Sequence, residues 1–417
     1  MQKFERNVRK LAPLGAALLL SAFGATAAMA QAPAAPAGPT AMTTPSMSGP
    51  LAANPDPFYV DTTDWLGDAG GKIYIGGAVT GLAFYQSNPI PGDHSSLLDL
   101  SNAQVEIQKT DGWLQFYIQA GDYSLPQLGF PYVKSSLATP GTFGVVPVAY
   151  LKLQGEGDWA DFSLEGGKLP TLIGDEYTFS FENMNIERGL LWNFEPAVSR
   201  GVQVNYANGP LTVSLSWNDG YYSNNLNQMS GLVSYVFSPS DTLAFAGGGM
   251  VGGHTGGLIN QGAVYNLIWT HTDGAWVISP YLQLNTTPAF VVGGHTVLRS
   301  TEDWAGAILA SVSLDDNWKL AARGEYLNSS GSPTSVPPAF NFLGCGAGCS
   351  AWSLTVTPSY QWKLLFARLD VSYVGLSSNT IGFGTKTIHL GSPPIAYPSN
   401  ANASDQFRVM FETGVLF

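Results

Sequence analysis

Charge is what this sequence has least of. Only 12% of its 417 residues are Asp, Glu, Lys or Arg, about half the roughly 25% of a soluble globular domain, so something else must make the chain compatible with its surroundings. Positive charge is scarcer still: 18 Lys and Arg against 30 Asp and Glu leave a net charge of −12, which excludes a basic nucleic-acid binder. Cysteine is nearly absent. Cys345 and Cys349 sit in a Cys-Gly-Ala-Gly-Cys run; without a nearby His they are too few for a zinc site, and in an oxidising compartment they are expected to form a local disulfide, the alternative being an unpaired pair at a flexible tip. Beyond residue 30 no stretch approaches the roughly 20 consecutive apolar residues of a transmembrane helix, which excludes a helical membrane bundle. In their place stand 48 Gly, 12% aromatic residues and abundant Ser, Thr, Asn and Gln.

The first 30 residues read as a secretory signal peptide: Lys3, Arg6, Arg9 and Lys10, an apolar run from Leu11 to Gly24, and the small-x-small site Ala28-Met29-Ala30. Its removal takes away four positive charges and one negative, carrying the net charge from −12 to −15. Residues 31–70 begin with an Ala/Pro/Thr/Ser tract and are expected to be an extended periplasmic linker.

From about residue 71 to 417 the dominant signal is alternation with period two. In Leu211-Thr212-Val213-Ser214-Leu215-Ser216-Trp217-Asn218 one face is Leu, Val, Leu, Trp and the other Thr, Ser, Ser, Asn, the pattern of a strand between oil and water. Sixteen such segments begin near residues 71, 100, 112, 146, 159, 198, 211, 228, 242, 260, 275, 303, 318, 351, 364 and 406. Short connections rich in Gly, Asp and Asn, such as Thr110-Asp111-Gly112 and Asn208-Gly209, alternate with eight longer ones, the longest near 123–145, 170–197, 329–350 and 376–405. An even strand count, strands of about 9 to 12 residues and alternating loop lengths predict an all-β fold, a transmembrane antiparallel barrel of about 16 strands with short periplasmic turns and long extracellular loops. Tryptophans at strand ends, among them Trp113, Trp159, Trp217, Trp304 and Trp352, fit interfacial girdles. A soluble sandwich or propeller of this length would need more surface charge.

About 16 strands enclose an aqueous channel rather than a packed core. With only about 40 residues ahead of the barrel, no plug domain is expected. Parity puts Glu106, Lys152, Glu156, Asp161, Glu165, Arg323, Glu325, Arg368, Asp370, Arg408 and Glu412 in the bore. Arg323, Arg368 and Arg408 fall on the thirteenth, fifteenth and sixteenth strands and could form a basic arc with Lys152 and Glu165 elsewhere on the wall. The third long loop carries Asp175, Glu176, Glu182, Glu187, Arg188 and Glu195; folded into the bore opposite the arginines, it would narrow the path and set a transverse field. The blander reading leaves these acids on the rim and pairs the arginines locally, Arg323 with Glu325 and Arg368 with Asp370.

The stretch Gly167-Lys168-Leu169-Pro170-Thr171 through Gly174-Asp175-Glu176, followed by Glu187-Arg188-Gly189-Leu190-Leu191 and Gly201-Val202, resembles the signature of the OmpL-like β-barrel porins of proteobacteria. The resemblance covers about 35 residues with specific matches. It implies an outer-membrane porin passing small hydrophilic solutes by diffusion, with Lys168, Glu176 and Arg188 as the matching polar positions. Arg200, close by, falls on the lipid-facing parity.

Two rival readings differ in class. A surface adhesin or structural barrel would use loops 329–350 and 376–405, which are rich in Ser, Pro, Gly and Asn and poor in large apolar anchors. An outer-membrane hydrolase would need an oriented His at the rim, whereas His94, His254, His271, His295 and His389 fall in loops or at a turn without triad spacing. No catalytic residue, metal or cofactor is expected. The expected partners are outer-membrane lipid and lipopolysaccharide, the barrel assembly machinery that would read the terminal Phe417, small hydrophilic solutes with cations preferred, and, by analogy with other 16-stranded barrels, two further copies in a homotrimer.

Overall fold

The computed structural model describes residues 51–52, 54, 56–89, 93–220, 225–251, 262–332, 335–337, 339, 347–376 and 403–417. The expected signal peptide, residues 31–50 of the linker, Cys345, His254 and His389 lie outside the described residues.

Sixteen strands make the barrel: β1 (Lys72–Gln86), β2 (Ser96–Lys109), β3 (Leu114–Tyr123), β4 (Val148–Gln154), β5 (Phe162–Pro170), β6 (Val198–Asn208), β7 (Leu211–Asn218), β8 (Gln228–Val236), β9 (Asp241–Met250), β10 (Ala263–Asp273), β11 (Trp276–Thr287), β12 (Thr301–Ser313), β13 (Trp318–Ser329), β14 (Ser350–Trp362), β15 (Leu365–Leu376) and β16 (Asp405–Leu416). Each pairs antiparallel with the next, and β16 returns to β1 from Arg408↔Gln86 to Leu416↔Ala78. Closure leaves no strand edge in lipid, so the ladders satisfy the backbone there. Connections at one end span two to seven residues and those at the other nine or more. In the two-residue turns Gly209 and Gly274 both take φ +55, a conformation that costs a side-chain-bearing residue dearly.

Alternation sorts each strand between lipid and bore. On β14, Ser353, Thr355, Thr357 and Ser359 are buried inward while Trp352 and Tyr360 are exposed on the outer face. The parity breaks once on β2, where Ser101 and Asn102 both point inward across a register shift opposite Thr80 and Gly81. Such a bulge adds one residue to a strand without changing the strand's ends. Glu156 and Asp161 are corrections: they lie in the connection between β4 and β5, which contains a 3-10 turn at Gly157–Trp159, and not on the bore wall. That turn takes the residues whose parity would otherwise have counted as strand.

The linker reading is also corrected for its last part. A short edge strand, Phe58–Asp61, pairs with the start of β1 from Phe58↔Ile75 to Asp61↔Lys72, followed by helical turns at Thr63–Leu66 and Gly67–Ala69. It occupies the edge of β1 that overhangs the end of β16. Four consecutive residues without proline suffice to offer the N–H groups such a ladder needs.

Candidate functional site

The third long loop, residues 171–197, joins β5 to β6 and turns into the bore. Pro170 and Pro196 mark its ends, each unable to donate a ladder hydrogen bond. From Thr178 to Leu191 every residue is buried. A buried loop carries backbone groups that no ladder satisfies, and these must find partners elsewhere. Here the barrel wall supplies them. Arg368 donates from Nη1 to the carbonyl of Asn183 at 2.9 Å and from Nη2 to that of Ser180 at 2.5 Å. Arg323 Nη1 reaches the carbonyl of Glu187 at 2.6 Å. In the opposite sense, wall and loop carboxylates accept loop amides: Asp370 from Glu187 N at 2.9 Å, Glu176 from Gly189 N at 2.8 Å and Glu325 from Leu191 N at 3.2 Å.

The same groups pair with one another as ions. Arg323 bonds Glu176 at 2.5 Å and lies 3.3 Å from Glu325, Arg368 bonds Glu412 at 2.6 Å, and Arg408 bonds Glu187. Both partners in each pair are at most 2% exposed in their side chains. The expected local pair of Arg323 with Glu325 is present, whereas Arg368 turns to Glu412 on β16 and leaves Asp370 to Thr357 and the loop. The cause is register: Arg368 and Glu412 are direct cross-strand partners, closer than residues two apart along one strand.

Two glycines set how closely the loop approaches its neighbours. A Cβ on Gly189 would lie 2.1 Å from Glu325 Oε1, and one on Gly174, at φ +90, would lie 1.8 Å from Glu195 Oε2. Neither position tolerates a side chain without moving the acid. Neutral groups complete the seat: Asn185 donates to Thr357 Oγ1, Asn102 to Ser180 Oγ, and Gln283 to the carbonyl of Leu191.

A second loop, residues 124–147, joins the first, which sequence parity gave no reason to expect. Arg188 N bonds the carbonyl of Pro126 and Leu128 N that of Arg188, while Arg408 donates to the carbonyls of Gln127 and Phe130, both at 3.2 Å. The signal available in sequence was Leu128 and Tyr132, apolar residues in a loop otherwise suited to solvent; both are buried.

The remaining expected residues are placed as follows. Asp175 stands against Ser279 of β11, and Glu182 accepts from Gln119 Nε2 at 3.2 Å and Phe179 N at 3.1 Å. Burial raises the Glu182 carboxyl to about 8 and that of Asp175 to about 7. Arg188 donates from Nη1 to Thr178 and lies over the Trp192 ring at 4.6 Å. Lys152 and Glu165 are register partners on β4 and β5, apart from the loop's seat. Glu195, the last acid of the loop, is buried without a hydrogen-bond partner for either oxygen. Cys349 is buried and disulfide-bonded. Lys168 faces outward at the far end of β5 and donates to the carbonyls of Phe143 and Val146. Arg200, also outward, is neutralised by Asp219 at 2.7 Å without any register shift in β6.

Sixteen closed strands with lipid-compatible side chains outside and a charged, loop-crossed bore inside define the porin class of outer-membrane barrels. Solved structures share the fold: the outer-membrane protein OmpT of Vibrio cholerae in its trimer form (11% identity, TM-score 0.52, covering 83% of this chain and 99% of that one), an anion-selective porin from Comamonas acidovorans (12%, 0.53, 83% and 99%), and the outer-membrane channel DcaP of Acinetobacter baumannii (11%, 0.53, 83% and 97%). At these identities the likeness is one of fold. Residues 72–417 match the family model described as "putative beta-barrel porin-2, OmpL-like", and the chain belongs to that family of outer-membrane barrels. No curated protein matches the sequence.

Proposed function

We infer that the protein is a diffusion porin for small hydrophilic solutes, with loop 171–197 as the element that narrows its bore and with a preference for cations. The observation that carries this reading is the seating of the loop by Arg323, Arg368 and Arg408 on one side of the barrel. A barrel of this size leaves room for water beside such a loop. The three arginines are spent on the loop and on their acids, so their charge is cancelled where it stands. Among the described residues Glu106, Asp175, Glu182 and Glu195 have no such ion pair; burial favours the protonated form of the loop acids Asp175, Glu182 and Glu195, so the acid excess favours cations along the path as rising pH ionises them.

On this reading Asp175, Glu176, Glu182, Glu187 and Arg188 belong to the constriction, and Lys152, Glu165, Arg323, Arg368 and Arg408 to the wall around it. Export through the N-terminal signal, insertion by the barrel assembly machinery with Phe417 at the end of the last strand, contact with lipopolysaccharide and a homotrimeric assembly complete the proposal. The test is reconstitution in a planar bilayer under a salt gradient. Discrete conductance steps with a reversal potential on the cation side are expected, and Glu182→Gln should move that potential toward zero. A chain that gives no steps overturns the porin reading; a reversal potential that ignores position 182 takes the loop out of the constriction.

A further inference from the structure

From Gln31 to Pro55 the sequence carries no Asp, Glu, Lys or Arg; the first charge is Asp56. The end of this uncharged tract sits inside the barrel. Leu51 is 1% exposed and packs in an apolar cluster with the inward side chains Ala78 of β1, Phe366 of β15 and Leu416 of β16, and with Phe179 and Phe181 of loop 171–197. The next residue is held at both backbone groups. Ala52 N donates to Gln361 Oε1 at 2.7 Å, and Gln361 Nε2 donates to the carbonyl of Ala52 at 2.8 Å. Gln361 lies at the turn end of β14 with the inward parity of Thr357 and Ser359.

The path out is equally defined. Phe58 pairs with Ile75 of β1, so between Ala52 and Phe58 the chain passes from β14 to β1, across the ends of β15 and β16. Three interstrand spacings are about 14 Å, within the roughly 20 Å that six residues can reach. The chain therefore crosses the short-turn mouth of the barrel and places Leu51 beneath the loop.

We propose that the short-turn mouth of the bore is a docking site for the chain's own N-terminal segment, seated by Leu51 and clamped by Gln361, and that this segment props loop 171–197 from below and reduces the open cross-section. An apolar side chain in an otherwise polar bore is stabilised there only because Phe179, Phe181 and Phe366 shield it from water, so the loop and the segment each bury part of the other. An uncharged segment also enters an acid-rich bore without the desolvation cost that a charge would carry.

The inference rests on the porin reading, and the experiment separates the two. A variant lacking residues 31–54, with the signal retained, is compared with the full chain in planar bilayers, and a labelled peptide of residues 31–54 is titrated onto the truncated barrel with fluorescence anisotropy as readout. Truncation is expected to raise single-channel conductance about twofold, as the freed cross-section would allow. The peptide is expected to bind and to reverse the rise when added on the short-turn side, while the same peptide with Leu51→Asp should do neither. Gln361→Ala in the full chain is expected to give an intermediate conductance with more frequent transitions. Peptide binding without conductance in either form would uphold the docking site and overturn the porin reading. Equal conductance with no peptide binding would overturn the docking site and leave the porin reading standing.

Discussion

The bore has two unlike walls. Along β13 to β16 the inward side chains include Arg323, Glu325, Arg368, Asp370, Arg408 and Glu412, and their hydrogen bonds run to loops 171–197 and 124–147, to one another and to neighbouring wall side chains. Along β6 to β8 the inward side chains Gln203, Asn205, Ser214, Ser216, Asn218 and Ser230 carry no charge, and the bonds they make run within the wall: Gln203 to Asn205 and Glu165, Asn218 to Ser216 and Ser230. Charge in this barrel is thus first a scaffold. It does for an irregular loop what a ladder does for a strand, offering donors to its carbonyls and acceptors to its amides, and the uncharged wall is left for water.

That contrast can be broken most directly at Arg323. Removing one partner of a buried ion pair leaves the other uncompensated, at a cost of about 3–5 kcal/mol, and Arg323→Met strips Glu176, Glu325 and the carbonyl of Glu187 together. Unfolding in urea followed by gel mobility should show that loss, and the single-channel record should turn noisy as the loop loses its seat. A quiet channel of unchanged stability would mean the loop is held by something other than the arginines. Gly189→Ala comes next: its Cβ would displace Glu325, so a smaller loss of stability with the same noise is expected.

A pH series sharpens the comparison from the loop's side. Burial raises Glu182 to about 8 and Asp175 to about 7. A carboxyl whose folded value is raised favours the protonated form, so its contribution to loop stability is intact below its ordinary value and is lost as pH rises through the raised one. Cation preference should therefore grow between about pH 6 and pH 9 while the loop's seat weakens; a flat reversal potential over that window would remove Glu182 from the ion path. On the neutral wall Ser216→Ala removes the buried hydroxyl that accepts from Asn218 and should cost about 1 kcal/mol. Smallest of all, Arg200→Ala opens a pair with Asp219 whose arginine is 38% exposed, worth less than about 1 kcal/mol.

The strands were legible because lipid and water enforce a strict period of two: all sixteen expected starts fall within four residues of those in the structure. The arginine wall followed from the same parity. The bulge at Ser101–Asn102 did not, since an extra inward polar residue looks in sequence like ordinary strand. What the arginines do was legible only in part. Their placement opposite an acidic loop suggested a field across water, whereas the structure closes the gap and sets guanidinium on carbonyl, because the loop's backbone needs donors that its sequence does not display. Leu51 was illegible for a different reason. One leucine in an Ala, Pro and Ser tract has no periodicity to betray it, and its seat is made of side chains drawn from five separate parts of the chain.

The seam between β16 and β1 joins the two ends of the barrel, with Phe417 N bonded to the carbonyl of Gly77 and Gly77 N to that of Phe417. Every other strand meets its neighbour through a connection in sequence, but this pairing exists only when the final residues are present. A chain shortened by its last strand would hold fifteen strands and two bare edges, a sheet that lipid cannot solvate. Closure is therefore an all-or-none test of synthesis: the barrel inspects its own length before it can rest in the membrane.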